Sequence, residues 1–336
     1  MHYAKVQKKH AEKLRDALAK NNLLANNADV LHSDSYVLFP VTIATATIKK
    51  LIRQNGGMLI EKKGRAQGNA KSKINRNKEV AKGYDILGNI AIVETDNPSS
   101  RAAKRYSEEI MSSSKRITTV LAKAGPVSGR YRIRKLSYVA GKRTYVADMI
   151  ENGCRFVFDV RKTFFSVRLS FERQRISALS KGKENVMVLF AGVGPFVVEL
   201  AKKNPRSSVV AIELNKSAYE MMKKNILINK LKNVVPVWGD VGKVAKHYEN
   251  FADRIIMPLP KDSHSFIAHA AGISKDKGNI HIYMFVKKDN PAREAMKKLR
   301  KELGDSGKLK LLKWRKVRDY SHSEIEVVLD LRLNKG

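Results

Sequence analysis

The sequence predicts an α/β fold in which an open sheet is covered by helices on both faces. Three observations predict it. From about Ala178 onward, strand-like apolar runs alternate with helical patterns, and such alternation builds a sheet flanked by helices. The run Val186-Met-Val-Leu-Phe-Ala-Gly-Val-Gly-Pro-Phe196 reads as a buried strand, a glycine turn and a helix start. Val209-Val-Ala-Ile-Glu213-Leu-Asn215 then reads as a second strand with a carboxylate at its tip, nineteen residues beyond Gly194. That is where a ribose-binding acid belongs in a nucleotide-cofactor site.

The elements follow in order. Residues 1–60 read as a small N-terminal α/β module. It has a helical pattern over Lys5–Asn22 with Ala11, Leu14, Leu18 and Ala19 inward, a strand over Ser35–Thr42 interrupted by Pro40, and a helix over Thr45–Gln54 stopped by Asn55-Gly-Gly57. Residues 61–83 are polar, basic and glycine-containing, and read as a linker. Residues 84–177 form a second module: a strand over Tyr84–Glu94, a helix over Arg101–Ala124 capped from Asn97-Pro-Ser-Ser100 and ended by Gly125-Pro126, then strands over Arg130–Leu136, Lys142–Ala147 and Cys154–Asp159. Residues 178–336 carry the alternating domain. Its strands are Val186–Phe190, Val209–Glu213, Val234–Trp238, Arg254–Met257, Asn279–Val286 and Glu324–Leu333, with helices near Phe196–Lys203, Lys216–Asn229, Ser263–Ala271 and Pro291–Glu302.

Composition narrows the partners. Lys and Arg total 66 against 32 Asp and Glu, a formal charge of +34. So large an imbalance opposes compactness, and a polyanion that gains salt-sensitive affinity by counterion release accounts for it economically. The charge is spread over the chain rather than gathered on one amphipathic helix, which disfavours a membrane surface. No apolar run reaches a membrane span, and the first ten residues lack a signal-peptide pattern. A single cysteine, Cys154, excludes an internal disulfide framework and points to a reducing compartment, the cytoplasm. The eight histidines show no metal-ligand spacing. Cys154 reads as a small buried residue and His264 as loop polarity.

Gly192 and Gly194 lack a Cβ, so the chain can turn tightly and a ligand can approach closely. A dinucleotide fingerprint wants a third glycine for the pyrophosphate, and that position holds Val197. The loop therefore suits a ligand without a pyrophosphate, such as S-adenosylmethionine. Two glycines alone favour a plain tight strand–helix turn; the Glu213 spacing and the later motifs favour the cofactor.

At Glu151-Asn-Gly-Cys-Arg-Phe-Val-Phe-Asp159 and Lys162-Thr-Phe-Phe-Ser-Val-Arg-Leu-Ser-Phe-Glu-Arg-Gln-Arg175 the chain resembles the archaeal and eukaryotic tRNA guanine-37 N1-methyltransferases. The Phe165–Arg173 element and the Phe-Ala-Gly-Val-Gly-Pro-Phe element carry the resemblance, which extends over nearly the whole chain. It implies a class I, Rossmann-like methyltransferase domain behind two smaller RNA-binding modules. Its cofactor would be S-adenosylmethionine, and its partner tRNA, gripped at the anticodon loop and, by the first module, at the outer corner. A monomer is expected, with no protein partner implied. Mg²⁺ is left open, because no residue indicates it.

The resemblance implies Glu172 as general base and Arg132, in Tyr131-Arg-Ile-Arg-Lys-Leu136, as the arginine that assists the transition state, with Arg134 its close competitor. Arg173, Phe190, Glu213, Leu214, Asp240 and Val241 fall at cofactor positions, joined by Ala191, Gly192, Val193 and Gly194 of the turn and by Pro258. Phe164 and Arg168 fall where the target nucleotide is positioned, with Phe165, Arg134 and Lys135 beside them. Glu172 read alone is also a helix-start residue that pairs with Arg175 or Arg168, and Asp240 a helix cap. Two departures stand out. Val188 replaces a frequent Asp, and Met257-Pro-Leu-Pro-Lys261 places Pro258 where the family has Asn. Pro258 has no side-chain amide and no N–H to donate. The alternatives are a bifunctional relative that also methylates a wyosine precursor, an aminocarboxypropyl transferase, and an RNA-binding protein with a degenerate cofactor fold.

Overall fold

The computed structural model describes residues 2–21, 23–24, 30–32, 35–41, 46–61, 83–129, 133–180 and 182–335. The chain divides into two compact units, Met1–Lys71 and Ser72–Gly336. Most of the expected linker, residues 62–82, lies outside the described residues, as does Arg132.

The first unit runs β1 (His2–Gln7), α1 (Ala11–Lys20), β2 (Leu31–His32), β3 (Tyr36–Pro40), α2 (Ala46–Gln54) and β4 (Gly57–Glu61). Its antiparallel sheet has the order β2-β3-β1-β4. Ala4, Val6, Leu14, Leu18, Phe39, Ile48 and Ile52 form the core. The helix expected from Lys5 starts only at Ala11. Ala4 and Val6 point inward at the two-residue period of a strand, so residues 5–7 pair in β1. Leu14 and Leu18 face inward as expected, whereas Ala19 is exposed.

The second unit opens with β5 (Tyr84–Leu87), β6 (Ile90–Val93), α3 (Arg101–Ser113), β7 (Thr119–Ser128) and β8 (Ile133–Gly141), in a sheet ordered β5-β6-β7-β8. The Ser100 hydroxyl caps α3 by accepting the Ala103 N–H at 3.0 Å. The helix expected to run to Ala124 instead ends at Ser113. Residues from Thr119 onward form a strand: Val120 and Leu121 of β7 pair in parallel with Ala91 and Ile92 of β6. Three serines, Ser112 to Ser114, are poor helix formers, and the β-branched Ile117-Thr-Thr-Val120 that follows favours a strand.

A hairpin of β9 (Val146–Glu151) and β10 (Cys154–Asp159) follows. Its Ala147, Phe156 and Phe158 are buried against Leu87, Ile92 and Leu121 on one side and Val193, Val198 and Ala218 on the other. Cys154 is buried in the same cluster, and burial pushes its thiol up to about 11.

The remaining elements are α4 (Ser170–Leu179), β11 (Asn185–Leu189), α5 (Pro195–Lys203), β12 (Ser208–Glu213), α6 (Lys216–Ile228), β13 (Val234–Trp238), α7 (Val241–Val244), β14 (Ala252–Met257), α8 (Ile267–Ile273), β15 (Ser274–Lys287), α9 (Pro291–Leu303), β16 (Lys308–Asp319) and β17 (Glu324–Asn334). They build a seven-stranded sheet ordered β13-β12-β11-β14-β15-β17-β16. Strands β11 to β15 are parallel, and β17 runs antiparallel to both neighbours. Ile255 and Ile256 show why the strands read as continuous apolar runs. Both are fully buried, Ile256 under α4, α5 and α6 and Ile255 under α8 and α9, each burial worth about 1.5–3 kcal/mol. This is the Rossmann-like architecture the sequence predicts. Strand order reverses between β11 and β14, so a crevice opens at the carboxyl ends of these strands. No helix among the described residues is long and apolar enough to cross a membrane.

Candidate active site

The glycine turn follows β11 directly. Phe190, Gly192 and Gly194 all adopt positive φ, at 57°, 60° and 86°. For Phe190 this region is sterically costly, and an edge contact with Phe266 (5.0 Å between rings) holds it there. Gly194 caps α5 ahead of Pro195 at the first helical position. A Cβ on Gly194 would come within 2.9 Å of Met222 Cγ.

The Glu213 carboxylate at the tip of β12 receives the turn. Its Oε2 accepts the Gly192 N–H and its Oε1 the Asn215 N–H, both at 2.7 Å. Burial raises its pKa and these amides oppose the rise. The Leu214 amide also acts on the carboxylate, and of its roughly four acceptor positions at least one remains for an outside donor. The next residue but one, Asn215, also caps α6 through Ser217 N–H and donates to the Lys162 carbonyl at 2.8 Å. One strand further out, Asp240 Oδ1 accepts the Gly242 N–H at 2.9 Å and caps α7, the capping role its sequence context allows.

These elements surround a cavity of about 430 Å³ at the switch point. Of the residues singled out from the sequence, Phe164, Phe190, Gly192, Glu213, Leu214, Asp240, Val241 and Pro258 line it. Ala191, Val193 and Gly194 shape the turn without lining the cavity. Sequence reasoning missed Lys261, Asp262 and Phe266 on its far wall. Lys261 sits in the motif Met257–Lys261, but a loop lysine carries no periodic signal. The wall combines apolar surfaces for a ring with separated carboxylates at Glu213 and Asp240, an acceptor set that fits an adenosine-bearing ligand: the diol can donate to one acid and the base amine to the other.

The other predicted residues lie outside this lining. Phe164 is 38% exposed and also borders a small second pocket with Arg134 and Phe165. Phe165 is stacked on Phe158 at 4.9 Å, so its face is occupied. Arg134 and Arg168 converge on Asp85, at 4.0 and 3.4 Å. Lys135 is exposed and, adjacent to Arg134 on a strand, points to the opposite side.

Glu172 and Arg173, neighbours on α4, enter two different buried clusters. Glu172 Oε2 accepts from Arg175 Nε at 2.9 Å and from the Tyr283 hydroxyl at 3.2 Å, while Oε1 lies 3.6 Å from Arg315 Nη1, beyond hydrogen-bond distance. Burial raises the Tyr283 phenol well above its ordinary range, and the Glu172 charge adds to this. Arg175 passes the chain on to Asp330 at 2.6 Å, and Asp330 to His281 Nδ1 at 2.7 Å. Burial lowers the pKa of His281 despite that carboxylate. Arg173 instead makes two bonds to Glu151, at 2.6 and 2.8 Å, donates to the Ser166 carbonyl at 3.0 Å and lies 5.0 Å from the Phe165 ring. It braces the segment that carries Phe164. The second carboxylate of this cluster, Glu199, is pushed up to about 8, chiefly by burial.

Comparison with known proteins gives this geometry its family. Residues 148–311 match the TRM5/TYW2 methyltransferase domain, residues 5–49 the tRNA methyltransferase 5 N-terminal domain and residues 70–144 the TYW2 N-terminal domain. The chain is 32% identical over 335 residues to the tRNA (guanine(37)-N(1))-methyltransferase Trm5b of Pyrococcus abyssi, covering 98% of both. The chain belongs to the TRM5/TYW2 methyltransferase family. Two solved structures of the family superimpose along the chain. The complex of aTrm5 with tRNALeu matches with TM-score 0.67 and 28% identity, over 99% of this chain and 100% of that one. Trm5 of Methanocaldococcus jannaschii in complex with adenosine matches with TM-score 0.66 and 28% identity, over 100% of both.

Proposed function

We propose that this chain is a tRNA (guanine-37 N1)-methyltransferase that uses S-adenosylmethionine. The observation that carries the reading is the switch-point cavity with Glu213 and Asp240 at the tips of neighbouring strands, in a chain aligned over 98% of its length with a Trm5b enzyme. Glu213 would take the ribose hydroxyls, Asp240 and Val241 would flank the adenine, and Phe190 and Pro258 would pack against the ligand. Bound there, S-adenosylmethionine supplies an electrophilic methyl group on a sulfonium, and the methyl step needs no metal.

Guanine N1 carries a proton and is a poor nucleophile near neutrality. The proton must leave as the methyl arrives, so a base within hydrogen-bond reach is required. Glu172 takes that role: Arg175 and Tyr283 anchor Oε2, which leaves Oε1 as the oxygen to accept the proton. Negative charge then develops on the guanine carbonyl oxygen. Arg132 stabilises it, a contribution of roughly 3–4 kcal/mol if it resembles an oxyanion donor. The base at position 37 has to be splayed out of the anticodon loop, and Phe164, the exposed aromatic at the cavity, offers a stacking face. Arg168 and Arg134 would leave Asp85 for the nucleotide's phosphates. The enzyme works as a cytoplasmic monomer on the anticodon loop and outer corner of tRNA.

The test is methyl transfer to unmodified tRNA transcripts followed by nucleoside mass spectrometry. The reading expects 1-methylguanosine with guanosine at position 37 and no product with adenosine there. An aminocarboxypropyl adduct, or no product on either transcript, would overturn it.

A further inference from the structure

Six cations share one face of the β16–β17 hairpin although their spacing in the sequence is irregular: Lys308, Lys310, Lys313, Arg315, Arg318 and Arg332. Lys310 is registered with Arg332, Lys313 with Asp330, Arg315 with Val328 and Arg318 with Glu326. In a regular strand, residues three apart point to opposite sides. Two register shifts, between Leu311 and Lys313 and between Lys316 and Arg318, bring Lys308, Lys310, Lys313, Arg315 and Arg318 of β16 into phase, while Lys316 points to the other side. The side they share looks onto α4, because Asp330 bonds Arg175 and Arg315 lies against Glu172.

Three acids on that side are already committed. Asp330 is held by Arg175 and His281, Glu326 by Arg318 and Glu172 by Arg175 and Tyr283, all buried. Lys310, Lys313 and Arg332 are exposed, and among the described residues no ion pair joins them to an acid. Lys310 and Arg332 are moreover direct cross-strand partners. Like charges in that position destabilise a sheet, so the fold alone gives no reason for them. Beside Arg315, within the row, Phe171 is 60% exposed, with the Arg315 guanidinium 4.7 Å from its ring.

We propose that this face is an RNA-binding surface, a row of phosphate contacts that leads a strand of the substrate toward Glu172. Same-face cations recur about every 7 Å along a strand, and the exposed Phe171 beside Arg315 offers a ring for a base to stack on. The assignment rests on the tRNA reading above and adds a contact surface on the catalytic sheet itself. Lysines on an edge strand also guard against sheet-to-sheet pairing, and the test separates the two roles.

A triple variant, Lys310→Ser, Lys313→Ser and Arg332→Ser, is compared with Lys297→Ser, Arg300→Ser and Lys301→Ser on α9, which removes the same charge from the opposite face of the sheet. tRNA binding is measured as a function of salt, with S-adenosylmethionine binding as the check on folding. The hairpin triple should weaken tRNA binding at least tenfold and reduce the slope of log affinity against log salt by about two to three. Its S-adenosylmethionine affinity and its transfer rate at saturating tRNA should match wild type, and the α9 triple should bind tRNA almost normally. Unchanged tRNA affinity in the hairpin triple, or equal losses in both triples, overturns the proposal. If the hairpin triple fails to fold, Lys313→Gln and Arg332→Gln singly each serve, expected to cost about one unit of slope; wild-type slopes in both overturn it. A wild-type chain that binds tRNA but transfers no methyl would remove the methyltransferase reading and leave this binding comparison standing.

Discussion

At Gly194 the backbone conformation and the packing make the same demand. Its φ of 86° disfavours any side chain, and a Cβ would press on Met222. Gly194→Ala should cost roughly 1–2 kcal/mol from the dihedral alone, read as a lowered urea midpoint, and should weaken S-adenosylmethionine binding by displacing the turn. A midpoint equal to wild type would show that the turn relaxes freely. Glu199 makes a pH prediction. Burial holds its pKa at about 8, against an ordinary value near 4.5. The native state thus keeps a proton that the unfolded chain has lost, and stability must fall as pH rises between those values. Glu199→Gln, which mimics the protonated form, should gain on wild type across that window in denaturation curves. Parallel curves for the two proteins would show that Glu199 does not titrate there.

Among the elements, α4 is joined to β17 by Arg175 and Asp330, and Asp330 also holds His281. Asp330→Ala leaves two buried cationic or polar partners unanswered and should destabilise by roughly 3–5 kcal/mol. The Asp330 carboxyl is held well below the usual range by His281 and Arg175 against the opposing effect of burial. Its contribution is therefore present above the ordinary carboxylate pKa and fades as the solution is acidified; equal acid sensitivity in the variant would contradict this. Elements differ in how far the sequence reveals them. Strands β11 and β12 were legible because both faces are buried and their apolar runs, residues 186–189 and 209–212, are unbroken. Strand β16 was not expected: it is an edge strand whose basic residues and two bulges erase the period of two. The helix from Arg101 was legible at its Ser100 cap, but its end was not, since pairing of β7 with β6 is a long-range contact that local propensity does not contain.

For the whole molecule, charge and fold tell complementary parts of the function. The formal charge of +34 announces a polyanionic partner without saying where it docks. The switch-point cavity announces an adenosine-bearing ligand without naming the acceptor. Half of the cavity wall was legible, because Gly192, Glu213 and Asp240 occur at fixed places relative to strand ends. Lys261, Asp262 and Phe266 were not, because a loop brings them to the cavity after the chain has left β14. The pairing of Glu172 with Arg175 was legible from their spacing on one helix, whereas the burial of Arg173 against Glu151 and the contact of Glu172 with Tyr283 are long-range and were not. The central claim is that the carboxylate of Glu172 removes the guanine N1 proton as the methyl group arrives. Single-turnover methyl transfer by Glu172→Gln, with tRNA and S-adenosylmethionine both saturating, tests it most directly. The rate should fall by about 10²–10⁴ while both dissociation constants stay within a few-fold of wild type; a wild-type rate in that variant would contradict the claim.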